Sequence, residues 1–171
     1  TPVTALEENR EFIILKTPKG QVEARKVALA TNAFPPLLKH LSLFVVPVYD
    51  YVLMTEPLSK EQRDSIGWHG REGLADDGNQ FHYYRTTADG RILFGGYDAI
   101  YHKNNGVDPR FENRPASFGL LAEHFFQTFP TLEGLRFTHA WGGVIDTCSR
   151  YTAFWGQAYK NKLAYAVGYT G

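Results

Sequence analysis

The chain has 171 residues, 43% of them hydrophobic and 15% aromatic, and its 18 basic residues balance 18 acidic ones. A chain of this length buries roughly two-thirds of its unfolded surface, so a true core is within reach. The sequence has no run of five like charges, which argues against a nucleic-acid stripe or a polybasic membrane patch.

A single cysteine, Cys148, excludes an internal disulfide and the multi-cysteine zinc patterns. The apolar runs fall well short of the ~20 residues of a membrane span, and a soluble cytoplasmic protein is expected. The chain begins at Thr1 and its one methionine is Met54, from which we expect a piece of a longer protein.

In chain order, residues 11–17 read as a strand, Pro18 to Gly20 as a turn and residues 21–25 as an alternating strand, together a hairpin. Val27 to Ala30 is apolar at every position, as in a strand covered on both faces, and it ends in the polar pair Thr31 and Asn32. A short helical stretch over 36–41 leads to a long strand over 45–55, in which Pro47 marks an edge or a bulge. Ser59 and Gln62 match a capping box, and Gly67 closes that short helix.

Residues 70–79 form a polar loop. Strands over 81–86 and 91–94 follow, joined through Ala88, Asp89 and Gly90, where the Asp-Gly pair supplies the positive φ of a tight hairpin. Pro115 opens an amphipathic helix whose stripe is Phe118, Leu121, Ala122, Phe125 and Phe129, and Pro130 ends it. Residues 136–145 and 163–167 have strand character. The expected class is α+β: a largely antiparallel mixed sheet of about six strands with the helix packed across one face.

Several segments, in this order and spacing, carry a resemblance to a known family. They are Val27-Ala-Leu-Ala-Thr-Asn-Ala33, Pro47-Val-Tyr-Asp-Tyr51, Thr55-Glu-Pro-Leu58, Asp89-Gly-Arg-Ile-Leu-Phe-Gly-Gly96, Phe129-Pro-Thr-Leu132, Trp141-Gly-Gly143 and Gly168-Tyr-Thr-Gly171. With them the chain resembles the C-terminal half of an FAD-dependent oxidoreductase of the D-amino-acid oxidase family, in the branch of glycine, sarcosine and γ-glutamylputrescine oxidases. The resemblance implies a β remnant of the FAD domain over 1–33, a substrate domain over 34–167, and the start of the flavin-contacting glycine turn over 168–171. FAD would be the cofactor of the full-length parent and an amine or amino acid its substrate. The missing FAD-binding half of the same protein would be the partner of these residues.

The resemblance also places site residues. Thr31 and Asn32 would lie near the dinucleotide, since open α/β sheets bind ligands outside the carboxyl ends of their strands; an ordinary polar strand cap is the other reading. Gly168, Tyr169, Thr170 and Gly171 would sit beside the flavin ring, their amides meeting negative charge on the reduced ring; a plain turn is the alternative. Tyr83 would match a tyrosine that helps hold the substrate in relatives; a core aromatic with its hydroxyl satisfied at the surface is the other reading. Tyr49 and Tyr51 share one strand face, as a pocket wall or as a packed sheet face.

Amino-acid oxidising members often carry an arginine shortly after the Trp-x-Gly to clamp a carboxylate. Here Val144, Ile145 and Asp146 follow instead, and a second arginine used by some members is replaced by Gly171. An amine substrate is therefore favoured over a simple amino acid, with Asp146 as its countercharge or else as a turn or cap residue. The six histidines show no pair at ligand spacing on one element, so no metal is assigned. Cys148 reads as a small buried residue.

The cofactor carries the chemistry in such enzymes, and no dedicated catalytic base is expected. The sequence contains no Gly-x-Gly-x-x-Gly fingerprint, so these residues alone are expected neither to bind FAD nor to turn over. A non-catalytic module, keeping the sheet to bind a small ligand or a protein without the cofactor, is the competing reading.

Overall fold

The computed structural model describes residues 1–170, and the chain divides into two compact units. The first comprises Thr1–Val48, His102–Val107 and residues 145 onward; the second comprises Tyr49–Tyr101 and Asp108–Val144.

In the first unit β1 (Ala5–Glu8), β2 (Ile13–Thr17) and β3 (Gly20–Ala24) form an antiparallel meander. The β2–β3 turn closes between Thr17 and Gly20, whose φ of 140° suits only glycine. A second sheet has the order β10 (Phe154–Ala158), β11 (Leu163–Val167), β4 (Val27–Leu29). Within it β11 is antiparallel to β10 and parallel to β4. Leu163 and Val167, four residues apart on one face of β11, bury against Leu29, Leu38, Leu41 and Val45. Lys162 ties the β1–β2 turn to this sheet through an ion pair with Glu8 at 2.8 Å and a bond to the Asn9 carbonyl at 2.6 Å.

The second unit is built on a sheet of order β6 (Leu74–Ala75), β7 (His82–Thr86), β8 (Ile92–Gly96), β5 (Val46–Thr55), β9 (Phe137–Thr147). The helices are α1 (Lys60–Ile66) and α2 (Pro115–Thr128). Tyr49, Tyr51 and Leu53 point from alternate positions of β5 into one core with Ile92, Phe94, Leu121 and Phe125. Phe94 and Phe125 meet edge to face at 5.5 Å, a favoured aromatic geometry. Leu121 and Phe125 are the buried apolar residues of α2, and Phe118, Ala122 and Phe129 flank them, as the stripe predicts. The capping box forms in full: Ser59 Oγ accepts from the Gln62 amide, Gln62 Oε1 accepts from the Ser59 amide, and Gly67 takes the left-handed conformation.

The α+β, largely antiparallel class stands, while its details are richer than the sequence reading. Eleven strands in three sheets replace about six among the described residues. β1, β6 and β10 went unread, because a polar four-residue strand, a two-residue strand and one interrupted by Gly156 carry little alternation. β4 is an edge strand with Ala28 exposed, so only Leu29 is buried as expected for a doubly covered strand. The helical stretch over 36–41 is a 3₁₀ turn at Lys39–Leu43. In the loop joining β7 and β8 Gly90 alone has positive φ, and Thr87 and Arg91 pair across its three residues.

Candidate functional site at the parallel strand ends

Two places in the molecule gather the residues singled out by sequence, one in each unit. In the first unit the parallel register of β4 and β11 brings their carboxyl ends to the same edge. Thr31 and Asn32 follow β4 there, and Gly168, Tyr169 and Thr170 follow β11. Gly171 lies outside the described residues.

Asp146 fastens this edge. It is 2% exposed, and its Oδ2 accepts from the Gly168 amide at 2.6 Å while Oδ1 accepts from the Tyr169 amide at 3.3 Å. Its carbonyl accepts from the Thr170 amide at 3.1 Å, and its own amide donates to Asn32 Oδ1 at 3.1 Å. The Asp146 carboxylate is thus occupied by backbone amides of the turn that follows β11. The amides of Gly168, Tyr169 and Thr170, expected to meet charge on a flavin, already donate to Asp146. Asn32 reaches it in the left-handed conformation, with φ of 53°, which asparagine tolerates better than most residues. Cys148 is buried as expected, its Sγ 3.4 Å from the carbonyls of Thr152 and Gly168.

Beside this edge lies a cleft of about 510 Å³ whose walls include Asn32, Phe34, Pro36, Val45, Pro47 and Val167. Thr31 Oγ1 is buried without a hydrogen-bond partner among the described residues, which is costly unless something else meets it. An orphaned hydroxyl at the carboxyl end of a parallel pair, next to an apolar cleft, fits one wall of a flat heteroaromatic ligand with polar edges.

In the second unit, strand alternation sorts the tyrosines onto two faces. Tyr49 and Tyr51 are fully buried on the face toward α2. Tyr49 Oη donates to the Asp108 carbonyl at 3.2 Å, and Tyr51 Oη donates to the Phe111 carbonyl at 2.8 Å. Both rings are packed in the core of this unit. Burial raises the Tyr51 phenol above its ordinary value.

Tyr83 alternates with His82 and Tyr84, both of which pack toward α2 and its core, and so lies on the opposite face. Its hydroxyl donates to Asp50 Oδ2 at 2.6 Å. Asp50 Oδ1 also accepts from the Tyr51 amide at 2.8 Å, and the Gly96 backbone supplies a further hydrogen bond. Burial outweighs these bonds and holds the Asp50 carboxyl above the usual carboxylate value, while burial and the neighbouring Asp50 push the Tyr83 phenol upward. Tyr83 and Arg85 line a cleft of about 310 Å³ with Gly73, Leu74, Tyr84 and Leu93. Sequence reading missed Asp50; the signal was an acidic residue inside an apolar strand, where a charge needs partners. It also missed the contact between His82 and His124, whose ring nitrogens meet at 2.9 Å from elements 42 residues apart.

The chain thus carries a parallel strand pair that presents a polar edge and a turn at Gly168 in one unit, and an antiparallel sheet with a helix packed on its core in the other. The chain belongs to the FAD-dependent oxidoreductase family, whose description it matches over residues 1–171. It is 29% identical over 176 residues to a probable oxidoreductase OrdL of Haemophilus influenzae, covering 100% of this chain and 37% of that protein. It is 32% identical over 166 residues to the gamma-glutamylputrescine oxidoreductase of Escherichia coli, covering 92% of this chain and 35% of that protein. The crystal structure of L-proline dehydrogenase from P. horikoshii superposes with a TM-score of 0.76 at 19% identity, covering 99% of this chain and 44% of that one. The chain thus spans about a third of the length of these curated relatives. No helix among the described residues is long and apolar enough to cross a membrane.

Proposed function

We propose that the chain is part of an FAD-dependent oxidoreductase that oxidises the carbon–nitrogen bond of an amine or amino acid. The observation that carries this reading is the family match over the whole chain. The names of the relatives, a gamma-glutamylputrescine oxidoreductase and an L-proline dehydrogenase, support the substrate class. In this reading the first unit belongs to the cofactor side and the second to the substrate side, with the compact units as boundaries in place of a break after residue 33. A cytoplasmic location goes with it, supported by the single buried cysteine.

Thr31 and Asn32, with Gly168, Tyr169 and Thr170, would hold one edge of FAD; Gly171 belongs to the same proposed turn. When bound, FAD supplies the hydride acceptor for the carbon beside the substrate nitrogen, leaving an imine that water hydrolyses. The protein's own part is positioning. Asp146 fixes the glycine turn by taking its amides, Thr31 offers a hydroxyl with no hydrogen-bond partner among the described residues, and Tyr83 meets the substrate with its ring laid over Gly95. None of these residues needs to move a proton for hydride transfer.

The test is anaerobic reduction of the full-length protein with a panel of amines and amino acids, read as bleaching of the flavin absorbance. Bleaching by members of the panel is the expected result, and a flavin left oxidised by every one of them would sink the reading. The 171 residues alone are proposed to hold no cofactor. They should stay colourless after mixing with FAD and gel filtration, and a yellow complex would refute that part.

A further inference from the structure

His82 of β7 joins two further parts of the second unit through its ring. Its Nδ1 meets Asp76 Oδ2, just after β6, at 2.6 Å, and its Nε2 meets His124 Nδ1, on α2, at 2.9 Å. The ring is held from both sides: it is buried and stacked between Phe94 of β8 and Tyr97, with centroids 5.0 and 5.2 Å away. Tyr97 also stands edge-on to His124 at 4.5 Å, and it reaches both imidazoles with a φ of 69°, an uncommon conformation for a bulky residue. Backbone of this kind persists where the surrounding structure fixes it.

The geometry sets how many protons the pair can hold. Burial works against the Asp76 carboxylate, but the hydrogen bonds from the His82 ring and amide and from the Gly78 backbone hold it below its ordinary value. His82 Nδ1 therefore carries a hydrogen and donates to Asp76, and in neutral His82 the facing Nε2 is a bare acceptor. His124 Nδ1 must then be the donor across the 2.9 Å gap. One added proton is accommodated, on His124 Nε2 or on His82 Nε2 with the bond reversed. A second puts a hydrogen on both facing nitrogens, so the bond is lost and two positive rings stand in contact. The charged and titratable groups nearby are otherwise engaged or turned to water. Glu123, beside His124 on α2, is exposed and accepts from Gln127 at 3.2 Å; Asp77, beside Asp76, is exposed; Asp98, next after Tyr97, pairs with Arg114 at 3.2 Å.

We propose that His82 and His124 are a proton-operated latch between β7 and the second half of α2, closed while their facing nitrogens share one hydrogen and opened by acid when both rings are charged. At its other end α2 is tied to Asp98 through Arg114 and Ser117, so opening frees the second half of the helix and leaves the first docked. That half carries Leu121 and Phe125 into the core with Phe94 and Tyr51. The packing of this core therefore responds to acidification within the range where imidazoles change charge, about pH 5 to 8. The latch lies wholly within the second unit and stands apart from the oxidoreductase reading.

The experiment is hydrogen exchange in the full-length protein at about pH 7.5 and about pH 5, read by mass spectrometry over peptides covering residues 121–129, as protection corrected for the intrinsic pH dependence of exchange. Wild-type protection is expected to fall about tenfold or more on acidification, the scale of one hydrogen bond involving a charged group, and to return on neutralisation. His124→Asn supplies an amide that donates to neutral His82 or, turned over, accepts from charged His82, and it takes up no proton; its protection should hold level between the two conditions. His124→Leu removes the link and should give low protection in both. If His124→Leu does not fold, His124→Asn decides. Wild-type protection that holds level on acidification, or an equal fall in His124→Asn, overturns the inference.

Discussion

Asp146 Oδ2 accepts a 2.6 Å hydrogen bond from the Gly168 amide, and through it a buried carboxylate sets the path of the chain where it leaves β11. The same residue takes the amides of Tyr169 and Thr170 and gives its own to Asn32, so both strand ends are tied to one side chain and its backbone. Asp146→Ala leaves the Gly168 and Tyr169 amides without their acceptor. The expected loss is about 2–4 kcal/mol, seen as a lower urea midpoint and, in the full-length protein, weaker retention of flavin. A midpoint within experimental error of wild type would show that water satisfies these amides.

Asp50 carries a pH signature of opposite sign to an ordinary paired carboxylate. Its folded-state value is raised above 3.8, chiefly by burial. Between the unfolded and the folded value the native state binds more protons than the unfolded one, so unfolding free energy falls as pH rises through that window. Asp50→Asn removes this slope. The stability difference between variant and wild type should therefore move in favour of the variant from about pH 4 upward, measured as denaturation midpoints across the acid range. A wild type that instead gains on the variant as pH rises would contradict the assignment.

Gly142 lies against the core in the second unit, where an added Cβ would approach the Tyr51 ring to 2.7 Å and the Glu112 carbonyl to 2.8 Å. One obstacle is backbone and the other is a buried ring anchored by its hydroxyl at 2.8 Å to the Phe111 carbonyl. Gly142→Ala should cost about 1–3 kcal/mol. At Gly143, where nothing lies within 4 Å of an added Cβ, the same substitution should be near neutral. Thermal midpoints of the two variants side by side make the comparison.

His82 is buried between the rings of Phe94 and Tyr97, with centroids 5.0 and 5.2 Å away. It bonds Asp76 through Nδ1 at 2.6 Å and His124 through Nε2 at 2.9 Å. Asp76 sits below its ordinary value: burial raises it, but the hydrogen bonds from His82 and the Gly78 backbone, with the His82 charge, together win. The stability this represents is present above the unfolded carboxylate value and is lost as pH falls through the folded one. His82→Phe keeps the ring stack and removes both bonds. It should cost about 1–2 kcal/mol at neutral pH and flatten the stability profile below about pH 4, as followed by circular dichroism.

Local structure was readable wherever the signal was local. The capping box of Ser59 and Gln62, the left-handed Gly67, the apolar stripe of α2 and the Gly90 turn each depend on residues within one or two turns of chain. The family, too, was legible, because it is carried by the order of short segments. What tertiary structure decided is which side chains meet and which way they face. Tyr49 and Tyr51 in a core, and Tyr83 on the other face of the same sheet, follow from strand phase and from which face α2 covers. Asp146 read in sequence as either a countercharge or a turn or cap residue, and in the fold its carboxylate accepts from amides 22 and 23 residues away. Asp50 gained its place by contact with a tyrosine 33 residues on. A buried carboxylate takes on whatever donors the fold brings to it, because leaving it unpaired is too costly, and those donors here come from strands far apart in the chain.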